Sequence, residues 1–173
     1  DEWIVTRTGI RERRIAHEGQ YASTLALAAC RRALEDAKTD PKEIDLLLVG
    51  TVTPDYLFPS TACILQEALG LRPVGALDVL AACSGFVYAV TMGVNAIRAG
   101  TARKVLAVGT EVLSTLINFK DRNTCVLFGD GAGAAVLGPP QGREEILRCD
   151  LGSDGTKWDY AIQPAGGSRA PRR

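Results

Sequence analysis

The stretch ALDVLAACSGFVYAVTMGVNAIR, residues 76–98, decides how this chain folds. Its first five residues are mostly apolar and suit a buried strand. The part from Ser84 onward carries no charge before Arg98, and Gly100, a typical helix-ending residue, follows shortly after. The pattern therefore predicts a buried strand at Ala76–Leu80 that passes directly into a buried helix at about Ser84–Arg98.

The same alternation of strands and helices continues on both sides of this stretch. Helices are predicted at 21–38 and 60–69, and Asp40-Pro41 begins a single helical turn with an N-cap and a proline at its first position. Further strands are predicted at 44–49, 104–109, 124–137 and 145–151. Strands that alternate with helices indicate an α/β layered fold with a largely parallel central sheet. We expect the whole chain, residues 1–173, to form one domain.

Composition excludes several classes of function. Basic and acidic residues number 20 each, so the net charge is zero, which argues against a nucleic-acid-binding or polybasic membrane surface. The five cysteines form no CxxC pair and the only histidine is His17, so neither a zinc site nor a disulfide framework is expected. Free cysteines favour a reducing, cytoplasmic compartment. The uncharged span Val79–Ile97 could cross a membrane, but its polar and small residues favour the strand-and-helix interpretation.

Cys83 is the first candidate for chemistry, because it lies where the predicted strand becomes the predicted helix. Unpaired backbone N–H groups and the helix dipole at a helix N-terminus favour a thiolate, so Cys83 is a candidate nucleophile. The alternative is that Cys83 is a small core residue, since free cysteine is often buried. For the other four cysteines we expect core packing, in helices for Cys30 and Cys63 and in strands for Cys125 and Cys149.

Three other features are less informative by themselves. Gly129–Ala134 matches the dinucleotide fingerprint G-x-G-x-x-G/A, but Gly138-Pro139-Pro140 leaves no room for the helix that should follow. Tight strand packing, or a bulge beside an active site, explains these glycines better. The opening residues 3–14 hold one tryptophan and four arginines, which suit either a base and phosphate site or a solvated basic strand. His17 is expected to lie on the surface.

Together, five segments resemble the β-ketoacyl-acyl carrier protein synthase III family of the thiolase superfamily. In chain order they are DEWIVTRTGIRERR (1–14), PDYLFPSTAC (54–63), DVLAACSGF (78–86), DRNTCVLFGDGAGAAVL (121–137) and LGSDGT (151–156). The resemblance implies a thiolase-like fold, which in its complete form has five layers, α-β-α-β-α. It also implies that this chain is mainly the N-terminal half, with the first strand and the C-terminal half outside it. Such a half is expected to be unstable or to aggregate by itself.

The activity that the resemblance implies is a decarboxylative Claisen condensation that starts fatty acid synthesis. An acyl group passes from acyl-CoA to Cys83, and malonyl-acyl carrier protein then loses CO₂ and attacks the acyl thioester. No permanently bound cofactor is implied, and the protein would be a cytoplasmic homodimer. The alternatives are a related priming synthase or acyltransferase of polyketide or secondary metabolism, and a non-catalytic scaffold or inactive fragment that keeps the fold.

The resemblance also transfers a set of residues that would bind coenzyme A. Trp3 matches a tryptophan that stacks on the adenine, and Arg122 matches the arginine on the other side of that base. Arg7 matches an arginine near the phosphate end of coenzyme A, and Thr8 matches a neighbouring polar contact. Asn123 stands where the family usually has glycine after this arginine.

Two phenylalanines match residues of the family's acyl pocket. Phe58 matches one that reaches across the dimer to cap the partner's pocket, and Phe128 matches one that lines the channel near the cysteine. The family's catalytic histidine and asparagine lie in the second half of its chain, beyond the residues matched here. His17 does not correspond to that histidine.

Overall fold

The computed structural model describes residues 2–140, 142 and 146–171 of the chain. Its α-helices are α1 (Glu2–Thr8), α2 (Ala22–Asp36), α3 (Thr61–Ala68) and α4 (Gly85–Arg98). Its strands are β1 (Leu46–Gly50), β2 (Gly75–Val79), β3 (Val105–Val112) and β4 (Asp130–Leu137). Single 3₁₀ turns cover Pro41–Glu43, Ala82–Ser84, Leu113–Thr115 and Gly155–Lys157.

The four strands form one sheet in the order β2-β1-β3-β4. β1 pairs in parallel with both β2 and β3, whereas β4 runs antiparallel to β3, with Gly133 opposite Gly109. The predicted layered α/β fold with a largely parallel sheet is confirmed. The carboxyl ends of β1, β2 and β3 consequently meet at one edge of the sheet, where open α/β sheets bind their ligands.

Local sequence signals explain where the elements begin and end. Asp40 caps the turn Pro41–Glu43 by accepting a bond from the Lys42 N–H (2.8 Å), and the Glu43 side chain accepts one from the Asp40 N–H (3.0 Å). Ser60 caps α3, where its hydroxyl accepts a bond from the Cys63 N–H (3.3 Å). Gly70 follows α3 at φ +65°, a conformation that glycine adopts without strain.

Helices cover both faces of the sheet, so two hydrophobic cores form. Leu47 and Val49 of β1 point into the core beneath α2 and α3, whereas Leu48 points into the core beneath α4 with Val105 and Ala89. This two-sided burial explains why β1 is a continuous aliphatic run rather than an alternating one. Each fully buried leucine or valine here contributes about 1.5–3 kcal/mol relative to exposure.

Two predicted strands differ from the structure. The strand expected over 124–137 begins only at Asp130, because hydrogen-bonded turns such as Cys125 N–H to Asp121 O (3.0 Å) occupy the residues before it. Residues 146–151 are irregular rather than a strand, and Arg98 donates to the carbonyls of Ile146 and Leu147 (2.5 and 3.0 Å). Glu145, the start of that predicted strand, lies outside the described residues.

The opening segment also differs from one interpretation of the sequence. The prediction of a solvated basic strand is wrong, because Glu2–Thr8 is helical and buries Ile4.

Within the described part of the chain, no helix combines the length and the apolar composition that crossing a membrane requires.

Candidate active site

Cys83 lies in the 3₁₀ turn Ala82–Ser84, between the end of β2 and the first residue of α4. The predicted strand-to-helix position is confirmed, and the interpretation of Cys83 as a core residue is wrong, because the residue is exposed. Ala82, directly before it, has φ +46°, a left-handed conformation that is uncommon for residues other than glycine. Strained backbone of this kind concentrates at functional sites, and here it forms the sharp turn that presents the thiol.

Two glycines, at the end of β1 and within β3, allow α4 to start directly on the sheet. A Cβ built on Gly50 would lie 2.4 Å from the carbonyl carbon of Gly85 and 2.7 Å from the Phe86 nitrogen. A Cβ on Gly109 would lie 3.2 Å from the Cβ of Phe86. Only glycine permits the closer of these approaches, so Gly50 fixes the N-terminus of α4, and with it Cys83, against the carboxyl edge of the sheet.

A pocket of about 270 Å³ opens beside Cys83. It is built from the turn, the start of α4 and the ends of three strands, and its lining residues are Gly50, Ala82, Cys83, Phe86, Gly109, Thr110, Glu111, Gly131, Ala132 and Gly133. The lining provides a thiol, a carboxylate and backbone. Such a pocket can hold a small group beside a nucleophile.

The glycines of the 129–134 motif serve two purposes. Gly129 packs tightly, because a Cβ there would lie 3.0 Å from the Arg14 carbonyl oxygen. Gly131 and Gly133 face open space at the pocket, where an added Cβ would contact nothing within 4 Å. The motif lies at the start of an antiparallel strand, without the helix that a dinucleotide site needs, so tight packing explains only the first glycine.

Glu111 brings a partly buried carboxylate to this pocket, and sequence reasoning did not single it out. Its two oxygens accept bonds from the Val52 N–H (2.9 Å) and the Thr53 hydroxyl (2.6 Å). Burial raises the pKa of Glu111, and these donors oppose that rise. The available signal was a single acidic residue near the end of the largely aliphatic run KVLAVGTEVL.

Asp130 joins the start of β4 to the segment that follows α1. Its carboxylate accepts bonds from the Ala16 N–H (2.8 Å), the Ser114 N–H (2.8 Å) and the Ser114 hydroxyl (2.6 Å), and its own N–H donates to the Arg14 carbonyl (2.7 Å). Burial acts to raise the pKa of Asp130, but the Ala16 and Ser114 donors outweigh it, so the net shift is downward. Asp130 thus joins the segment that follows α1 to β4, the strand beside the pocket.

The residues predicted to bind coenzyme A lie on two surface segments. Trp3 (62% exposed) and Arg7 are four residues apart on α1 and share one helical face. The Thr8 hydroxyl is already engaged, because it donates to the Ile4 carbonyl (2.7 Å) and accepts from the Ile10 N–H (3.0 Å). Arg122 is exposed in the turns before β4. The coenzyme A roles of these four residues stay predictions.

The two phenylalanines occupy different surroundings. Phe58 is 85% exposed in the loop between β1 and α3. Phe128 is half-buried just before β4, and it is absent from the described residues that line the Cys83 pocket. Their proposed contacts with an acyl chain stay predictions.

The remaining cysteines behave differently from one another. Cys30 is fully buried in α2, as predicted, and burial raises its pKa to about 12. Cys63 lies on α3 as predicted but is exposed, so core packing is wrong for it in this chain. Cys125 and Cys149 lie in irregular, partly exposed segments rather than in strands.

The one histidine is not part of this site. His17 is exposed, as expected, in the turn before α2. Among the described residues, no group of three or more histidine, cysteine, aspartate or glutamate side chains is arranged to hold a metal ion.

Comparison with known proteins shows which proteins the chain resembles. The profile of the 3-oxoacyl-[acyl-carrier-protein (ACP)] synthase III family matches residues 77–155, which include Cys83, α4 and β3. The β-ketoacyl-[acyl-carrier-protein] synthase III of Caldanaerobacter subterraneus subsp. tengcongensis is 54% identical over 171 residues, 99% of this chain and 52% of that protein. Over nearly its whole length, the chain is thus similar to β-ketoacyl-[acyl-carrier-protein] synthase III proteins. It spans about half the length of the curated synthase III relatives it matches.

Solved structures of synthase III proteins share the fold. The 3-oxoacyl-(acyl carrier protein) synthase III of Pseudomonas aeruginosa PAO1 superimposes with a TM-score of 0.89 at 40% identity, over 98% of this chain and 53% of that one. The priming β-ketosynthase of the R1128 polyketide biosynthetic pathway is also similar, with a TM-score of 0.77 at 46% identity, over 80% of this chain and 42% of that one. The thiolase-like fold expected from the sequence is therefore confirmed for the part that this chain covers.

Proposed function

We propose that the complete gene product is an acyltransferase, a β-ketoacyl-acyl carrier protein synthase III that starts fatty acid biosynthesis. The observation that carries this proposal is the exposed thiol of Cys83, held on a sharp strand-to-helix turn at the carboxyl edge of the sheet beside an open pocket. A scaffold that had lost catalysis would have no need for a strained turn that exposes a nucleophile.

The proposed reaction has two steps. The Cys83 thiolate attacks the carbonyl carbon of an acyl-CoA, the carbon–sulfur bond to coenzyme A breaks, and coenzyme A leaves as its thiolate. Malonyl-acyl carrier protein then loses CO₂, and its carbanion attacks the acyl–Cys83 thioester. The new carbon–carbon bond forms as the bond to Cys83 sulfur breaks, which regenerates the thiolate. Coenzyme A thioester is thus a substrate, and no resident cofactor is needed.

The first turn of α4 supports both steps. Backbone N–H groups in a first helical turn lack partners within the helix and carry the positive end of its dipole. The Cys83 N–H lies in the 3₁₀ turn directly before α4, next to these groups, and would donate to the oxyanion that forms when the thioester is attacked. The family's histidine and asparagine would stabilise the enolate formed by decarboxylation and would come from the other half of the protein.

We further infer that residues 1–173 form the N-terminal half of the five-layered fold, with α4 as an inner layer. Its outward side chains Val87 and Met92 are exposed in this chain, and the second half would cover them. Phe58 would cap the pocket of a second copy in a cytoplasmic homodimer. Trp3, Arg7, Thr8 and Arg122 would bind coenzyme A.

A condensation assay on the complete gene product tests the proposal. Acetyl-CoA and malonyl-acyl carrier protein should yield β-ketoacyl-acyl carrier protein, detected by mass spectrometry of the carrier protein. Cys83→Ser should abolish the product, whereas Cys63→Ser, which removes another exposed thiol, should retain it. Product formation by Cys83→Ser at the wild-type rate would contradict the proposal.

The similarity to the R1128 priming β-ketosynthase favours a second candidate, a priming synthase of polyketide assembly. The chemistry at Cys83 would be the same, and the carrier protein would differ. Competing the host's fatty acid carrier protein against polyketide carrier proteins, with one acyl-CoA primer, would distinguish the two. Preference for the fatty acid carrier protein supports the first function.

A further inference from the structure

The loop between β1 and α3, residues 51–60 and here called the arm, is held by carboxylates from separate parts of the chain. Asp55 within the arm accepts a bond from the Ser23 N–H at the start of α2 (2.9 Å) and another from the Ser23 hydroxyl. Asp78 of β2 accepts bonds from the Thr61 and Ala62 N–H groups just after the arm (2.7 and 2.8 Å). Between these anchors, the arm exposes three large apolar side chains: Tyr56 (63%), Leu57 (87%) and Phe58 (85%).

Glu111 holds the start of the arm. One carboxylate oxygen accepts from the Val52 N–H (2.9 Å) and the other from the Thr53 hydroxyl (2.6 Å). The Thr53 oxygen in turn accepts from the Val112 N–H (2.8 Å), while its single O–H donates to Glu111. The first residues of the arm are thereby fixed to the end of β3 by a chain of three directed bonds.

Glu111 differs from Asp55 and Asp78 in one respect that matters for function. It also lines the pocket beside Cys83, and the other two carboxylates do not. One side chain therefore touches both the pocket and the arm. An alanine at this position would leave the Val52 N–H and the Thr53 hydroxyl without their acceptor, which costs more than a surface bond because both groups are partly buried.

We propose that Glu111 is a positioning residue that couples the Cys83 pocket to the arm, and that this coupling sets which primer acyl chains are accepted. The inference rests on the proposed function, in which Phe58 on the arm caps the acyl pocket of a second copy. Loss of Glu111 displaces the arm and changes the space available to the acyl chain. It leaves the Cys83 thiol on its own turn, which is held by Gly50 and Gly85 rather than by the arm.

The test uses the complete gene product with Glu111→Ala and Glu111→Gln. The matched control is Glu43→Gln, a carboxylate that bonds Lys104 (2.8 Å) far from the arm. Three quantities are measured for each variant: kcat/KM for acetyl-CoA and for hexanoyl-CoA, the rate of Cys83 alkylation by iodoacetamide, and hydrogen exchange at the Val52 and Val112 amides.

The expected result for Glu111→Ala is a change of about tenfold in the ratio of kcat/KM between the two primers, with alkylation changed less than about twofold. Its two reporter amides should exchange at least about tenfold faster. Glu111→Gln should lie closer to wild type, because its amide oxygen still accepts the Val52 N–H. Glu43→Gln should match wild type in all three measurements.

A uniform loss across both primers and alkylation would show a purely structural role and would overturn the proposal, as would an unchanged primer ratio. If wild type accepts neither primer, the proposed function fails, and hydrogen exchange then decides the role of Glu111 separately. Unchanged exchange in Glu111→Ala would overturn the coupling of pocket and arm. Faster exchange in this variant would support the coupling of pocket and arm.

Discussion

The helices α2 and α4 cover opposite faces of the sheet, and their outward surfaces differ in polarity. The outward residues of α2 include exposed Arg31, Arg32, Glu35 and Asp36, as an outer layer requires. The outward residues of α4 include Val87 and Met92, which are apolar and exposed by 38% or more. A helix that is apolar all round is normally buried. The difference supports the proposal that α4 is an inner layer of a larger molecule.

A cysteine also lies on each of these two sides of the sheet, and the two thiols differ in their exposure to solvent. Cys30 is sealed between α2 and the sheet, where burial raises its pKa to about 12. Cys83 sits exposed at the start of α4. The proposed nucleophile thus lies on the side of the sheet whose helix exposes apolar side chains.

The largest expected difference between the faces is in thiol reactivity. In the complete gene product at pH 8, iodoacetamide should label Cys83 and leave Cys30 unlabelled in the native state. With a pKa of about 12, only about one Cys30 thiol in ten thousand is ionised at pH 8, and the residue is fully buried as well. Peptide mass spectrometry measures both sites. Equal labelling rates would contradict the predicted difference in reactivity between the two thiols.

A second test concerns the contact that positions α4. Gly50→Ala should lower the free energy of unfolding by at least about 2 kcal/mol, because its Cβ would lie 2.4 Å from the Gly85 carbonyl carbon. Acylation of Cys83 should fall with it, since the turn must shift. Chemical denaturation of the complete gene product measures the first effect.

The matched control for that substitution is Gly152→Ala, where an added Cβ contacts nothing within 4 Å. It should change the free energy of unfolding by less than about 0.5 kcal/mol. If the two substitutions cost the same, Gly50 is not the constraint that places α4.

The outward surface of α4 gives the third prediction. Val87→Lys should destabilise the complete gene product by about 1–3 kcal/mol if the second half covers this position, whereas Glu35→Lys on α2 should cost less than about 0.5 kcal/mol. The isolated 173-residue chain should aggregate, and Val87→Lys should improve its solubility. A soluble wild-type chain with a cooperative unfolding transition, or equal costs for both substitutions, would contradict an inner layer.

The smallest effect is expected at the amino end of the strands, away from Cys83. Asp45 accepts bonds from the Arg103 and Lys104 N–H groups (2.7 and 3.0 Å) and pairs with Arg72. These N–H donors, with Arg72, lower the pKa of Asp45 below its ordinary value of 3.8. Asp45→Asn should therefore cost about 1 kcal/mol at pH 7 and leave acylation of Cys83 unchanged.

The pH dependence of that cost follows from the direction of the shift. A lowered folded-state pKa gives stability that is present above 3.8 and is lost as pH falls through the folded value. The difference in unfolding free energy between wild type and Asp45→Asn should shrink from pH 5 toward pH 2. A difference that grows toward low pH would contradict the assignment.

The sequence predicted the elements whose signals are local. The aliphatic run of β1, the Ser60 cap of α3 and the passage from β2 through Cys83 to α4 all lie where apolar spacing and capping residues placed them. Cys83 could be found for the same reason, because a strand-to-helix turn is visible in the order of the residues.

Features that depend on contacts distant in sequence could not be predicted in this way. β4 begins at Asp130 because the Arg14 carbonyl and the Ala16 N–H meet it there, over a hundred positions away in the chain. Glu111 became a candidate only when its bonds to Val52 and Thr53 were visible. The exposure of Cys63 depends on what covers α3, which its helical spacing does not specify.

The central claim is that Cys83 is the nucleophile, and intact mass measurement after mixing the complete gene product with acetyl-CoA tests it most directly. We predict one acetyl group per chain, mapped by peptide analysis to Cys83 and absent in Cys83→Ser. An acetyl group that persists in Cys83→Ser, or no adduct on a folded wild-type protein, would contradict the account.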